Sequence, residues 1–298
     1  MEFCAVCVWY NPLSLGEGQP CKNISLYSNL VKKVYVVDNS NNDNSNLING
    51  LENVEYIPLM KNCGIAKALN VGCQKALDEG FEWCMTMDQD SQWNPEQVKL
   101  YFQKVESKIN SDSLIKSFGP RIVLPNCKSV LGTIKRKILH EPMPVEPKHP
   151  DEEFVDRMIC SGNIIELQSW KEVEGFREEL FIDLVDTDFC YKLLENNYKL
   201  LMINTTILNH TLGKAEKSFY NLRTHSYFRM YYIFRNELYV SYLHPQFKEY
   251  HEYCYKEYVK SYLLFTTPKN FFKYLRLIHK AKKDRIKMIK NNEAKKLN

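Results

Sequence analysis

Four short apolar runs punctuate the first third of the chain: Phe3 to Trp9, Val34 to Val37, Val54 to Leu59 and Glu82 to Met87. Each has the length of a strand. A breaker-rich loop with Pro12, Gly16, Gly18 and Pro20, then a helical stretch to about Leu30, separates the first two. Between the third and fourth, Ile65, Ala68, Leu69, Gly72, Cys73 and Ala76 fall at i, i+3, i+4, i+7, i+8 and i+11, the buried stripe of a helix. Nearly all-apolar strands alternating with helices predict an α/β chain with a mainly parallel sheet covered on both faces. In such sheets ligands bind beyond the carboxyl ends of the strands. Those ends carry Asp38, the Lys61–Gly64 loop, and the pair Asp88 and Asp90.

The pattern then loosens. Asn94 to Ile109 is helical, with Asn94 placed to cap it and Pro95 at its first position. Ser117 to Leu124 and Ser129 to Ile138 have strand character, and Glu141 to Glu153, with four prolines, predicts an exposed loop. From Ser218 onward the chain is aromatic, basic and helix-patterned, divided at Pro245 and Pro268. The expected organisation is a domain over 1–215, whose halves meet near residue 92, and a helical extension over 216–298.

Composition changes this picture in two places. The net charge of +4 is unevenly spread: residues 269–298 hold eleven Lys/Arg against two acids, a local +9, which leaves −5 for the rest. The ten cysteines lie mostly in apolar stretches, where free thiols act as small hydrophobes, so a reducing cytoplasm is expected. Cys4 and Cys7 have metal-pair spacing, but on a strand they point to opposite faces and no second pair completes a zinc site. The start is acidic rather than leader-like, the sequons at Asn23, Asn204 and Asn209 are chance matches in a cytosolic chain, and no run approaches the roughly 20 apolar residues of a membrane span.

The candidate chemistry is carboxylate chemistry. "MDQDS" ends the fourth strand with Asp88 and Asp90 on one side of an extended chain. Adjacent carboxylates repel unless a cation intervenes, and hard divalent ions such as Mg²⁺ or Mn²⁺ take oxygen ligands shared with phosphates. Asp38 in "VVDNS" can accept from a base or ribose, although by itself it reads as a turn. In "KNCGIAKALNVG", Asn62 and Gly64 lead into a helix N-terminus suited to phosphate, with Lys67 either neutralising it or simply solvated. Ser161, Gly162 and Asn163 offer small polar groups for sugar hydroxyls or a plain turn. Asp183, Asp186 and Asp188 crowd a predicted first helical turn, which is more acid than capping needs; a half-buried one suits a general base. His210 in "ILNHTLG" becomes the third metal ligand if the metal site is real.

"AVCVWYNP", "VVDNS", "NCGIAKALNVG", "MDQDS", "CSGN", "FIDLVDTDFCYK" and "HTLG", in this order from Ala5 to Gly213, resemble the family 2 glycosyltransferases of the rhamnosyltransferase-like branch. "RMYYIFRN", Arg229 to Asn236, is similar to the helix that follows in that branch. The resemblance implies a GT-A fold and inverting transfer of a sugar, rhamnose-like in that branch, from a dTDP- or UDP-linked donor to a glycan or lipid-linked acceptor in cell-surface polysaccharide synthesis. It implies Asp38 on the base or ribose, Asp88 on the ribose or the metal, Asp90 and His210 on Mn²⁺ or Mg²⁺, Asp186 as base, and Ser161–Asn163 with Asp183 around the sugars. Val185 stands where many members have Glu before the base; the Val-Asp form recurs in this branch, and the sugar identity is less constrained by it. A UDP-hexose or galactofuranose transferase is the near alternative.

The basic tail, with Phe271, Phe272, Tyr274, Leu275, Leu277 and Ile278 among its cations, suits an anionic membrane surface, a solvated helix or a subunit contact. Nucleic-acid binding is not expected, and a homo-oligomer is left open. A nucleotidyltransferase would need a glycine-rich basic loop after the first strand, where "YNPLSLGEGQPCKN" stands instead. A non-catalytic binding module would keep the same fold and lose metal-promoted nucleotide binding.

Overall fold

The computed structural model describes residues 1–16, 18–124, 129–131, 150–210, 216–217, 223–264 and 268–297. Its first strand, β1 (Phe3–Trp9), is buried along its whole length. After the short helix α1 (Gln19–Ser25) come β2 (Lys33–Asp38) and β3 (Val54–Pro58), then α2 (Ile65–Asp78), β4 (Trp83–Asp88), β5 (Ser91–Trp93) and α3 (Pro95–Ile109). β6 (Ile115–Leu124), β7 (Ser129–Leu131), β8 (Glu152–Phe154), β9 (Asn163–Glu166), α4 (Leu167–Glu172), α5 (Val185–Glu195) and β10 (Lys199–His210) follow. Their main sheet runs β3-β2-β1-β4-β9-β6-β10-β5, with β7 on β6 and β8 on β10.

β1 lies between β2 and β4 and is parallel to both. The chain therefore builds outward through β2 and β3, then returns to the other flank of β1 to lay down β4. That reversal opens a crevice at the carboxyl ends of β1 and β4. Beyond β4 the sheet becomes mixed: β9 is antiparallel to β4 and β6, β6 and β10 are parallel, and β5 closes the edge antiparallel to β10. The hydrophobic pattern marks strands but is indifferent to their direction, so the parallel expectation holds from β3 to β4 and gives way afterwards.

α2 covers β1 and β2 with Ala66, Ala68, Leu69, Gly72, Cys73 and Ala76, while Ile65 is only half-buried. Gly72 allows the close approach: a Cβ there would fall 2.4 Å from Val6 Cγ1 and 3.1 Å from Val37 Cγ2. α3 begins as its sequence predicts, with Asn94 Oδ1 accepting from the amides of Glu96 at 3.0 Å and Gln97 at 3.4 Å. All described cysteines are free thiols. Only Ser129–Leu131 of the expected second mid-chain strand falls among the described residues, and the proline-rich loop lies largely outside them.

Residues 1–179 and 185–211 form one compact unit; 180–184 and 212–298 form a second. The second holds a small ribbon, β11 (Glu216–Lys217) with β12 (Arg223–Thr224), and three helices, α6 (Tyr227–Leu243), α7 (Lys248–Leu264) and α8 (Pro268–Leu297). Pro268 opens α8, and Pro245 sits in the turn between α6 and α7. α8 contributes Leu277, Ile278 and Ala281 to a core with Met230, Ile233, Phe234 and Tyr255. Three of its lysines lie over rings of its neighbours: Lys273 on Tyr227, Lys280 on Tyr231 and Lys282 on Tyr255. Of the apolar residues among the cations of this helix, Leu277 and Ile278 are thus internal, whereas Phe272 and Leu275 stay exposed. No helix among the described residues is long and apolar enough to cross a membrane.

Gly72→Ala should lower unfolding stability by about 1–3 kcal/mol, because β-branched Val6 cannot swing clear of the added methyl. Urea denaturation checks this; an unchanged midpoint would contradict the packing of α2 on β1.

Candidate active site

Where β4 ends, the buried strand delivers Asp88 into the crevice with 23% of its side chain exposed. The following turn is tied down on two sides. Gln89 accepts from the Tyr10 amide through Oε1 at 2.8 Å and donates to the Tyr10 carbonyl through Nε2 at 2.9 Å. The buried Asn23 donates to the Gln89 carbonyl at 2.7 Å. The turn is thereby held to the end of β1, and Asp90 is turned back toward Asp88.

His210 arrives from far along the chain. Antiparallel pairing of β5 with β10 sets Ser91 opposite His210. Its Nδ1 lies 2.8 Å from Ser91 Oγ and 3.1 Å from Asp88 Oδ2. Ser161, from the loop before β9, donates through Oγ to the same Asp88 oxygen at 2.7 Å. One ligand atom from each of Asp88, Asp90 and His210 falls within 4.8 Å of the others. Asp88 Oδ1, meanwhile, is buried without any hydrogen-bond partner. A buried carboxylate oxygen without a donor is costly, and a cation would satisfy it. Two carboxylates and an imidazole are a donor set that Mn²⁺ or Mg²⁺ accepts, so the residues fit a divalent ion.

The electrostatics agree. Burial would raise the Asp88 pKa, but hydrogen bonds and charge from His210, with Ser91 and Ser161, hold it below the usual carboxylate range. For Asp90, burial first, then the Asp88 charge, outweigh the opposing His210 charge and push it from 3.8 to about 7. One carboxylate of the pair stays ionised, and the other holds its proton until near neutral pH.

Asp186 stands in the first turn of α5, half-buried, with Oδ1 accepting from the Thr187 amide at 2.8 Å. The thiol of Cys160 is raised chiefly by burial, to which the charges of Asp186 and Asp88 add. The other two acids of this segment have structural partners. Asp188 is fully buried and takes Arg177 Nε at 3.0 and 3.2 Å. Asp183 is not a turn of helix before Asp186, as its spacing suggested: it has φ 64°, precedes α5, and pairs with Arg229 in the second unit. A helix cannot run through residues whose backbone is left-handed.

The remaining candidates are placed as follows. Asp38 is 1% exposed, and its carboxylate accepts from the Ser40 amide, Asn44 Nδ2 and Tyr56 OH at 2.7–2.9 Å. It organises the loop after β2 instead of pointing outward. Asn62 Oδ1 accepts from the Gly64 amide and Asn39 Nδ2, and Gly64 takes φ 86° at the start of α2. Lys67 is on the surface, 3.1 Å from Glu178. Gly162 has φ 75°, with Pro120, Leu208 and Trp93 about where a Cβ would go. Asn163 is buried and accepts from Ser117 Oγ, so of its triplet only Ser161 reaches the cluster. Sequence reasoning passed over Gln89, Asn23, Ser91 and Arg177. Gln89 alone had a visible signal, a long amide between two acids.

The raised Asp90 pKa has a definite sign. The folded state holds a proton that the unfolded state has released, so stability falls as pH rises from about 4 through 7. Asp90→Asn removes that loss. In chelator, the variant should melt about 2–5 °C above the parent at pH 8 and coincide with it near pH 4; parallel melting curves across this range would contradict the assignment.

The chain matches the family described as Glycosyl transferase family 2 over residues 22–122. It is 31% identical over 243 residues to the dTDP-rhamnosyl transferase RfbF of Shigella flexneri, across 78% of this chain and 77% of RfbF. Among solved structures, S. aureus TarS 1-349 in complex with UDP-GlcNAc shares the fold with a TM-score of 0.58 at 16% identity, over 96% of this chain and 81% of that one. GalNAc-T7 with UDP, GalNAc and Mn²⁺ does so with a TM-score of 0.51 at 13% identity, over 71% of this chain, which spans only 44% of that protein. These two likenesses concern fold alone. With the GT-A sheet, the acidic cluster at its switch point and a relative this similar over most of its length, the chain belongs to glycosyl transferase family 2 and is a glycosyltransferase.

Proposed function

We propose that the protein transfers a rhamnose-like sugar from a dTDP- or UDP-linked donor to a glycan or lipid-linked acceptor, with inversion and with a divalent cation, in cell-surface polysaccharide synthesis. The observation that carries this reading is the orphaned Asp88 Oδ1 beside Asp90 and His210 at the carboxyl end of β4. The similarity to a dTDP-rhamnosyl transferase supports the choice of sugar and nucleotide.

Asp88, Asp90 and His210 would hold the ion. When bound, it supplies positive charge against which the nucleoside diphosphate can leave. Ser161 and Ser91 keep Asp88 and His210 oriented for that task. The nucleoside is assigned to the loops after β2 and β3, where Asp38 fixes the backbone of Asn39–Asn44 and Asn62 shapes the entry to α2. Asp186 takes the proton of the acceptor hydroxyl as its oxygen bonds to the anomeric carbon and the carbon–oxygen bond to the diphosphate breaks. One displacement inverts the centre, and no covalent enzyme intermediate forms. Asp188 and Arg177 hold the first turn of α5, so that Asp186 is presented by a rigid element.

The outward face of α8, with Phe272, Arg276, Lys283 and Ile286 exposed, would bring the enzyme to an anionic membrane on its cytoplasmic side. The chain should sediment with phosphatidylglycerol vesicles at low salt and be released at high salt. Equal recovery with neutral phosphatidylcholine vesicles would remove the membrane from the proposal.

The central test is donor turnover across dTDP- and UDP-sugars with Mn²⁺, in the presence and absence of chelator. Hydrolysis or transfer should favour dTDP-rhamnose and stop with chelator. Asp186→Asn should reduce transfer at least a thousandfold while nucleotide affinity stays within about twofold. Turnover that survives in this variant would refute the base, and turnover indifferent to chelator would refute the metal.

A further inference from the structure

Five residues before Asp186 the backbone enters a stretch that ordinary residues avoid. Phe181, Asp183 and Leu184 take φ of 67°, 64° and 62°. α6 holds them there. Asn236 Nδ2 donates to the carbonyls of Leu180, Ile182 and Asp183 at 2.8–3.0 Å, and Arg235 donates to the Leu180 carbonyl at 2.9 Å. Arg229 binds the Asp183 carboxylate through Nε and Nη2 at 2.9 and 2.8 Å. Strain that a structure goes to such lengths to maintain points to use.

The clamped segment presents rings. Phe181 stacks on Tyr232 at 4.9 Å and 15°. Phe228 stands edge-on to Tyr232 at 5.0 Å and to Phe181 at 6.1 Å. Arg235 lies over Tyr232 at 4.8 Å, backing the stack. Phe228 is 54% exposed and Phe181 half-buried, so apolar ring surface faces solvent beside the Asp183–Arg229 ion pair.

We propose that Phe181 and Phe228, supported by Tyr232, form a platform for a pyranose ring of the acceptor, with Asp183 and Arg229 at its rim. Aromatic faces carry partial negative charge and attract the weakly positive C–H side of a sugar. A carboxylate and a guanidinium complement its hydroxyls. The chain itself restricts the distance: five peptide units keep the Cα atoms of Phe181 and Asp186 within about 18 Å, and three keep Asp183 within about 11 Å. The assignment to the acceptor rests on the reading of Asp186 given above, whereas the sugar platform is testable without it.

Saturation-transfer NMR with methyl β-D-glucopyranoside, whose axial C–H bonds line both faces, provides the test. The full-length protein should transfer saturation to those protons. Phe228→Ala should reduce the transfer at least threefold, Phe228→Trp should retain it, and Asp186→Asn should leave it intact. Circular dichroism of each variant establishes that it is folded. No transfer in the parent protein, or transfer that Phe228→Ala leaves unchanged, would overturn the platform. A response to dTDP alone that disappears in Phe228→Ala would assign the rings to the donor base and overturn it as well. Donor hydrolysis on the same samples reports separately on the proposed reaction.

Discussion

The site is organised around an electrostatic constraint: two carboxylates meet at the end of one buried strand, where ionising both is costly. β4 carries Asp88 out of the core, and the turn that Gln89 and Asn23 pin to β1 brings Asp90 back beside it. Asp88 is stabilised by Ser161, Ser91 and His210; Asp90 is left to burial and repulsion. The arrangement is unfavourable for the protein by itself and favourable for a divalent ion, which offers the charge the cluster lacks.

Second in importance is the division of work among the acids of residues 183–188. Asp188 is consumed by Arg177 and Asp183 by Arg229, while Asp186 is half-exposed between them in sequence. The two paired carboxylates fix backbone, one in each unit, and the third, in the first turn of α5, is the one the proposed reaction uses as base. Neighbouring residues of one type therefore have three different roles, set by the partner that each side chain finds.

Much of this was legible beforehand. The stripe Ala68, Leu69, Gly72, Cys73 and Ala76 announced α2; Asn94 and Pro95 announced the start of α3; the alternation of apolar runs predicted that β1 to β4 are parallel, though not their order. Asp88 and Asp90 were visible as a pair because they are two residues apart on one strand. The antiparallel half of the sheet was not visible, since an apolar run carries no sign of its direction. Nor was the enclosure of Asp38, whose donors Asn44 and Tyr56 come from a loop and a neighbouring strand.

The sequence by itself determined what is local: where strands and helices begin, and which residue types end the strands. Only the tertiary structure decided which of those groups meet. His210 reaches Asp88 because β5 and β10 pair in one register, a hydrogen-bonded ladder joining Ser91 to a residue 119 positions away. Asp183 leaves the helix of Asp186 because Arg229 and Asn236 hold its backbone in a conformation that no local preference would choose. Local propensity acts over a few residues, whereas ion pairs and strand registers act across space, and the active site is built from the latter.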